Sequence, residues 1–276
     1  MDLKDRYLTH CRVSGLRPRT IENYNAVLSE AAALGPLKHL TADRVTEYID
    51  QQLNRNAQST VCTKSIIIRA FITWAISSGE LPADLIDQMP KPVKHRGRDP
   101  TVASRAQVQQ LLPELRPKHK LSVLLMADAG LRVSEVVSLR VGDVRLDRGI
   151  IAIQSGKGGK ARFAPLSTDR LRALLEQRVD GAEAEEWLLL GRNGAPLCRS
   201  AVNKAIARAC ERVGIDPLNP HAFRHSFAAN AMTSGVHVKA IQVALGHSDL
   251  ATTDMYLRSL SGTEELAHAF GTFSAE

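Results

Sequence analysis

Cysteine, aromatic residues and long apolar runs are all scarce in this chain of 276 residues. The four cysteines, Cys11, Cys62, Cys198 and Cys210, are widely scattered, with no Cys-x-x-Cys pair and no dense framework. That spacing excludes a disulfide scaffold and a cysteine zinc site, and it leaves reduced cytosolic thiols as the reading. No His-Glu-x-x-His motif or carboxylate cluster offers another metal site, and arginines stand beside the histidines where they would repel a cation. A Walker-type phosphate loop is missing as well. No signal-peptide core opens the chain, and no apolar run approaches the roughly 18 residues that would span a bilayer, so a soluble, cytoplasmic protein with no membrane partner is expected. Internal repeats and low-complexity stretches are absent.

What the chain does have is 44% hydrophobic residues, enough for buried cores, in a length that suits two domains. Lysine and arginine number 36 against 29 acidic residues, for a net charge of +7 and a pI near 9.4. This balance favours a polyanionic partner without identifying one.

Apolar positions such as Leu3, Tyr7 and Cys11 recur at helical spacing, and Thr20-Ile-Glu-Asn-Tyr after Pro18 reads as a helix opening. Two more helices are predicted at about Thr41 to Leu53 and Ser59 to Ser78, so residues 1–90 form an all-α domain of about four helices. Residues 91–100 break the periodicity with prolines and a glycine while concentrating Lys91, Lys94, Arg96 and Arg98, which marks a basic interdomain linker. Residues 101–276 return to helices, interrupted by two β-rich runs, Gly149-Ile-Ile-Ala-Ile and Ala161-Arg-Phe-Ala-Pro, around a glycine-rich turn. That arrangement reads as a hairpin. Trp187 to Leu190 is a candidate further strand, helices are expected after Arg199, His221, His237 and Ala251, and an amphipathic tail holds Leu266 and Phe270. The fold class is therefore mainly α with a small β-hairpin or sheet.

Several residues carry possible chemistry, and each has a plainer alternative. Arg132 lies in Gly130-Leu-Arg-Val-Ser-Glu at the start of a short helix, with Glu135 one turn on; such a pair is often a surface ion pair. His221 and Arg224 share a helix face behind Pro220, where free backbone N–H groups also favour an anion, although His-x-x-Arg pairs are commonly superficial. His225 points elsewhere and is read as structural. Lys157 sits between glycines on the hairpin turn, with Lys160 and Arg162 as basic competitors for the same reach toward DNA. Tyr256 follows a polar run nine residues after His247 of Leu245-Gly-His, yet a tyrosine on an amphipathic helix is ordinarily packing. Breaking and rejoining a phosphodiester needs a nucleophile, cations for the non-bridging oxygens and an acid for the leaving oxygen. A candidate for each is present, and arginine suits the cationic clamp because its planar fork donates two parallel bonds to phosphate.

Together, Gly130-Leu-Arg-Val-Ser-Glu, the Lys157 hairpin, His221-x-x-Arg224, Leu245-Gly-His247 and Tyr256, in this order, resemble the tyrosine recombinase, or phage integrase, family. The resemblance covers Thr101 to about Phe270. It implies a SAM-like helical core-binding domain followed by a mixed α/β catalytic domain. It further implies that Tyr256 attacks the scissile phosphate to give a 3′-phosphotyrosine and a free 5′-hydroxyl, while Arg132 and Arg224 hold the non-bridging oxygens. By the same resemblance Lys157 is the general acid, His221 assists proton transfer, His247 bonds the phosphate, and Glu135 positions Arg132. The bond energy is kept in the phosphotyrosine, so no ATP, metal or other cofactor is expected.

The implied partners are double-stranded DNA recombination sites, a homotetramer in the synaptic complex built from a monomeric free form, and an accessory directionality factor. A Holliday junction is the implied intermediate, and integration or excision of a phage or mobile element the implied task. The alternatives are Xer-like resolution of chromosome or plasmid dimers, strand relaxation of the type IB topoisomerase kind, and a catalytically silent DNA-binding protein. Two departures from the family pattern are Phe223, where many relatives carry leucine, and Leu257-Arg258 after the tyrosine. The helical region starts almost at Met1, so a minimal two-domain type without a separate arm-binding domain is expected.

Overall fold

The computed structural model describes residues 2–93, 101–154 and 161–246. The chain divides into two compact units, Met1–Arg98 and Asp99–Glu276.

The first unit is helical. Helices α1 (Leu3–Val13), α2 (Pro18–Ala32), α3 (Ala42–Arg55) and α4 (Gln58–Ser77) are followed by the single turn α5 (Leu85–Gln88). Pro18 opens α2 at its first turn, where a missing N–H costs nothing, and the Thr41 hydroxyl caps α3 by accepting from the Arg44 N–H. The helices close on one core in which Leu28, Val61, Phe71 and Ile72 are fully buried. The Tyr7 ring meets Phe71 edge-on at 5.3 Å.

Helix α4 is more apolar than the sequence reading allowed. By length and composition it could cross a membrane, with a mean hydropathy of 1.3 over its most apolar stretch. Val61, Ile68, Phe71 and Ile72 on it are nevertheless spent on the unit's own core. The start of the basic connector, Lys91 to Val93, lies with this unit: Val93 packs on its core and Lys91 is exposed.

The second unit comprises α6 (Arg105–Leu111), α7 (Pro117–Ala127), the one-turn α8 (Val133–Val136), strands β1 (Val144–Arg145), β2 (Ile150–Ile153) and β3 (Arg162–Pro165), then α9 (Asp169–Val179), α10 (Arg199–Val213), α11 (Pro220–Thr233) and α12 (Val238–Leu245). Helix α7 is its axis. Every residue from Leu121 to Ala127 is buried, so this stretch of the helix has no solvent face and is covered by others, α11 among them. The three strands form an antiparallel sheet in the order β1-β2-β3, with Ile151 opposite Ala164 and Ile153 opposite Arg162.

The predicted hairpin is thus present, but the third strand is not where the sequence placed it. Trp187 and Leu190 form only isolated bridges, to Arg140 and Pro196. The sheet's third member is the two-residue β1, too short to leave a periodic signal. Trp187 instead lies under the Arg140 guanidinium, 4.0 Å from its ring centre.

Candidate active site

Three turns of chain from distant parts of the sequence meet at one buried carboxylate. The first leaves α7 through Gly130, whose φ of +68° takes the left-handed conformation that glycine adopts without penalty. It also has no room for a side chain, because a Cβ there would lie 2.6 Å from the Phe227 ring and 2.9 Å from Leu245. Gly130 therefore sits directly on α11 and α12, which brings Arg132 to both.

Arg132 is the residue before α8, and Glu135 is one turn in. The Glu135 carboxylate accepts from the Arg132 backbone N–H at 2.8 Å and from its guanidinium at 2.8 Å. Only 4% of the Glu135 side chain is exposed, against 20% for Arg132, so the pair is a buried anchor with one solvent-reaching partner, not a surface bridge. The sequence's plainer alternative for this pair is excluded by that burial.

Helix α11 supplies the second element. Asn219 caps it by accepting from the Ala222 N–H at 3.1 Å, and Pro220 occupies its first turn, as the sequence suggested. Arg224 is buried, donating to the Gly130 carbonyl and, at 2.6 Å, to the Leu245 carbonyl; its guanidinium lies 3.9 Å from Glu135. His221, one turn earlier, is exposed. Its pKa is lowered by partial desolvation first, then by Arg224 and Arg132, which places all three groups in one electrostatic neighbourhood. The structure thus assembles Arg132, Glu135, His221 and Arg224.

His225 is half-buried with its ring centre 6.3 Å from that of His221, and desolvation, then His221 and Arg224, lower its pKa to about 4. The sequence reading turns it away from His221, whereas the structure sets the two rings beside one another.

Arg162 departs from the sequence reading. It was a basic competitor of Lys157 for reach toward DNA, but it is 9% exposed and turned inward, donating to Glu135 at 2.6 Å and to the Ala244 carbonyl at 2.6 Å. The strand's alternation is inverted relative to ordinary patterning: Arg162 and Ala164 point in, and Phe163 is 62% exposed. Burial lowers the Arg162 pKa, and the Glu135 carboxylate opposes that loss. Nothing in the local pattern signals this, since an arginine beside a phenylalanine on a short strand reads as the outward residue.

Three guanidinium groups share one carboxylate, so the cluster carries more positive than negative charge. Arg132 and His221 give that charge a route to solvent. An oxyanion arriving there would meet planar donors already fixed in place, which is the arrangement that stabilises charge without reorganisation.

Lys157, His247 and Tyr256, with Lys94, Arg96, Arg98, Lys160 and the tail residues Leu266 and Phe270, lie outside the described residues. The described chain ends at Gly246, whose carbonyl is 3.4 Å from the Arg132 guanidinium. Among the described residues no group of three or more His, Cys, Asp or Glu side chains could hold a metal ion.

A profile of the phage integrase family matches residues 102–262. The tyrosine recombinase XerA of Thermococcus kodakarensis is 33% identical over 92% of this chain and 89% of its own length. The tyrosine recombinase XerD of Corynebacterium glutamicum is 29% identical over 92% of each chain. Among solved structures, a lambda integrase dimer bound to a COC′ core site superposes with a TM-score of 0.79 at 17% identity, covering 95% of this chain and 77% of that one. A Tn1549 transposon integrase in complex with transposon right end DNA gives 0.78 at 17% identity over the whole of both chains.

The fold and the sequence relationships define a site-specific recombinase of the tyrosine class. The chain belongs to the phage integrase family.

Proposed function

We propose that this recombinase cuts and rejoins double-stranded DNA at recombination sites with Tyr256 as nucleophile. The observation that carries the reading is the clamp in which Glu135 fixes Arg132 and stands 3.9 Å from Arg224. In this reading Arg132 and Arg224 hold the non-bridging oxygens of the scissile phosphate, and His221 handles the proton of the attacking phenol. Lys157 protonates the leaving 5′-oxygen and His247 donates to the phosphate. A 3′-phosphotyrosine forms, and a partner strand's 5′-hydroxyl then attacks it, passing through a Holliday junction. Energy is conserved in the phosphotyrosine, so neither ATP nor a metal enters.

The helical unit would act as the core-binding domain, the second unit as the catalytic domain, and the connector with Lys91, Lys94, Arg96 and Arg98 would cross phosphates. Monomers would assemble as a tetramer on two sites, in the cytoplasm, with an accessory factor setting direction. The second unit supports the assembly with an apolar groove of about 1080 Å³. Phe163, Val236 and Val243 line it and are 62%, 44% and 60% exposed. Such a patch suits the apolar tail residues Leu266 and Phe270 of a neighbouring copy.

Integration or excision of a mobile element is the principal reading of the task. The alignment with Xer recombinases over 92% of the chain favours dimer resolution as the second.

The test is covalent capture on a pool of nicked random-sequence duplexes. Wild-type protein should form an adduct resistant to denaturation, and Tyr256→Phe should bind the captured sequence without forming one. A persisting adduct would remove Tyr256 from the reading. Relaxation without strand exchange would favour the topoisomerase alternative, and binding with no adduct by the wild type would favour a silent DNA-binding protein.

A further inference from the structure

The last three carbonyls at the C-terminus of α12 are each taken by a different arginine. Ala244 accepts from Arg162 at 2.6 Å, Leu245 from Arg224 at 2.6 Å and Gly246 from Arg132 at 3.4 Å. The same three arginines converge on Glu135, at 2.6 Å, 3.9 Å and 2.8 Å in that order. A helix C-terminus presents unpaired carbonyls and a partial negative charge, so guanidinium groups are its natural partners. Here those partners also belong to the clamp.

Arg162 differs from the other two. Its side chain is only 7% exposed, its two terminal nitrogens are engaged by Glu135 and Ala244, and its Nε makes no hydrogen bond among the described residues. It is too enclosed to meet a phosphate on the surface. It also forms the floor under Gly246: a Cβ at that glycine would lie 2.6 Å from the Arg162 Cδ and 2.7 Å from its Nε. Three residues on from Ala244 the sequence reaches His247, and nine residues later Tyr256.

We propose that Arg162 is a positioning residue for strand cleavage, locking the C-terminus of α12, from which the sequence runs on to Tyr256, in register with the Arg132–Arg224 clamp. The inference rests on the reading of Tyr256 as nucleophile and of the two arginines as phosphate ligands. Arg162 acts through Glu135 and the α12 carbonyls and touches no substrate. Because it lies on β3, it also ties the strand that follows the Lys157 turn to the same point. A lysine in its place keeps the charge but lacks the planar fork that holds Glu135 and the Ala244 carbonyl in one fixed geometry.

The experiment separates binding from chemistry in the full chain. The probe is a nicked suicide duplex recovered by covalent capture on wild-type protein from a random-sequence pool. Single-turnover adduct formation and equilibrium binding to that duplex are measured for the wild type, Arg162→Lys, Arg162→Met, Gly246→Ala and Tyr256→Phe. Arg162→Met should slow adduct formation on the order of 100-fold with affinity held within about threefold, as expected when reacting groups are misplaced by about 1 Å. Arg162→Lys should fall between, and Gly246→Ala should resemble Arg162→Met because its Cβ displaces the arginine. Should Arg162→Met fail to fold, Arg162→Lys decides the matter by the same split. A Tyr256-dependent adduct formed at the wild-type rate by Arg162→Lys overturns this inference alone, as does a loss that follows affinity and not rate. An adduct that persists in Tyr256→Phe overturns the functional reading and this inference with it.

Discussion

Glu135→Gln is the perturbation whose outcome the structure specifies most closely. Oε2 accepts from the Arg132 N–H at 2.8 Å and from Arg162 at 2.6 Å, while Oε1 accepts from the Arg132 guanidinium at 2.8 Å. A glutamine can keep its carbonyl oxygen at the first position and preserve two of those bonds. Its amide nitrogen must then face the Arg132 guanidinium, donor against donor. Beyond that lost bond, three arginines lose their shared counter-charge, and Arg162 and Arg224 are too buried to recover it from water. Removing one member of a buried ionic group costs about 3–5 kcal/mol, most of it the price of the charge left behind.

Each unit holds one tryptophan, Trp74 in the first and Trp187 in the second, so a Trp74→Phe background makes emission report the unit that contains Glu135. With a urea slope of roughly 2 kcal/mol/M, the unfolding midpoint should fall by about 2 M. Asp128→Asn serves as a scale. Asp128 is also 4% exposed and accepts from Arg170 at 2.7 Å and Thr168 at 2.7 Å, but Arg170 is 41% exposed and can return to water. Its loss should cost less, about 1–3 kcal/mol. If Glu135→Gln shifts the midpoint by no more than Asp128→Asn, the carboxylate is not the hub described above.

Acid should weaken the second unit through His225. Its pKa is 6.5 ordinarily and about 4 in the folded chain, so between those values the unfolded chain binds the proton and the native one does not. Stability is complete above pH 6.5 and is lost as pH falls toward 4, by about 2 kcal/mol from pH 7.5 to 5.0. Urea midpoints followed at Trp187 should show this drop, His225→Gln should flatten it, and an unchanged slope in that variant would assign the acid sensitivity elsewhere. Gly130→Ala meets both a φ of +68° and contacts at 2.6 Å and 2.9 Å, whereas Gly214→Ala meets a φ of +69° and nothing within 4 Å. The second should cost about 1 kcal/mol from backbone strain alone, and the first about 1–3 kcal/mol more from overpacking. Gly130→Ala should also slow adduct formation, because the Gly130 carbonyl is an acceptor for Arg224; equal stability of the two variants would show that the Phe227 contact yields freely.

What could be read from the sequence was what local chemistry enforces. Pro18 and Pro220 mark helix starts because a missing N–H costs nothing in the first turn, and both helices begin there. The hairpin was legible because two β-rich runs flank glycines, and Arg132 with Glu135 because an i, i+3 pair is a single-turn event. Strand β1 was not, since two residues carry no period, and Trp187 to Leu190 imitated a strand by composition while the backbone paired only in passing.

Arg162 shows why the remainder was hidden. Its inward orientation is set by Glu135, which is 27 residues away, and by the Ala244 carbonyl, 82 residues away. No window of sequence contains these partners, and the strand's own alternation argues for the opposite face. The conspicuous motif residues name the chemistry because each is a chemically unusual group at a fixed spacing. The groups that hold them in place are ordinary arginines, glycines and main-chain carbonyls, so their roles become visible only where Gly130, Arg162, Arg224 and the end of α12 come together around Glu135.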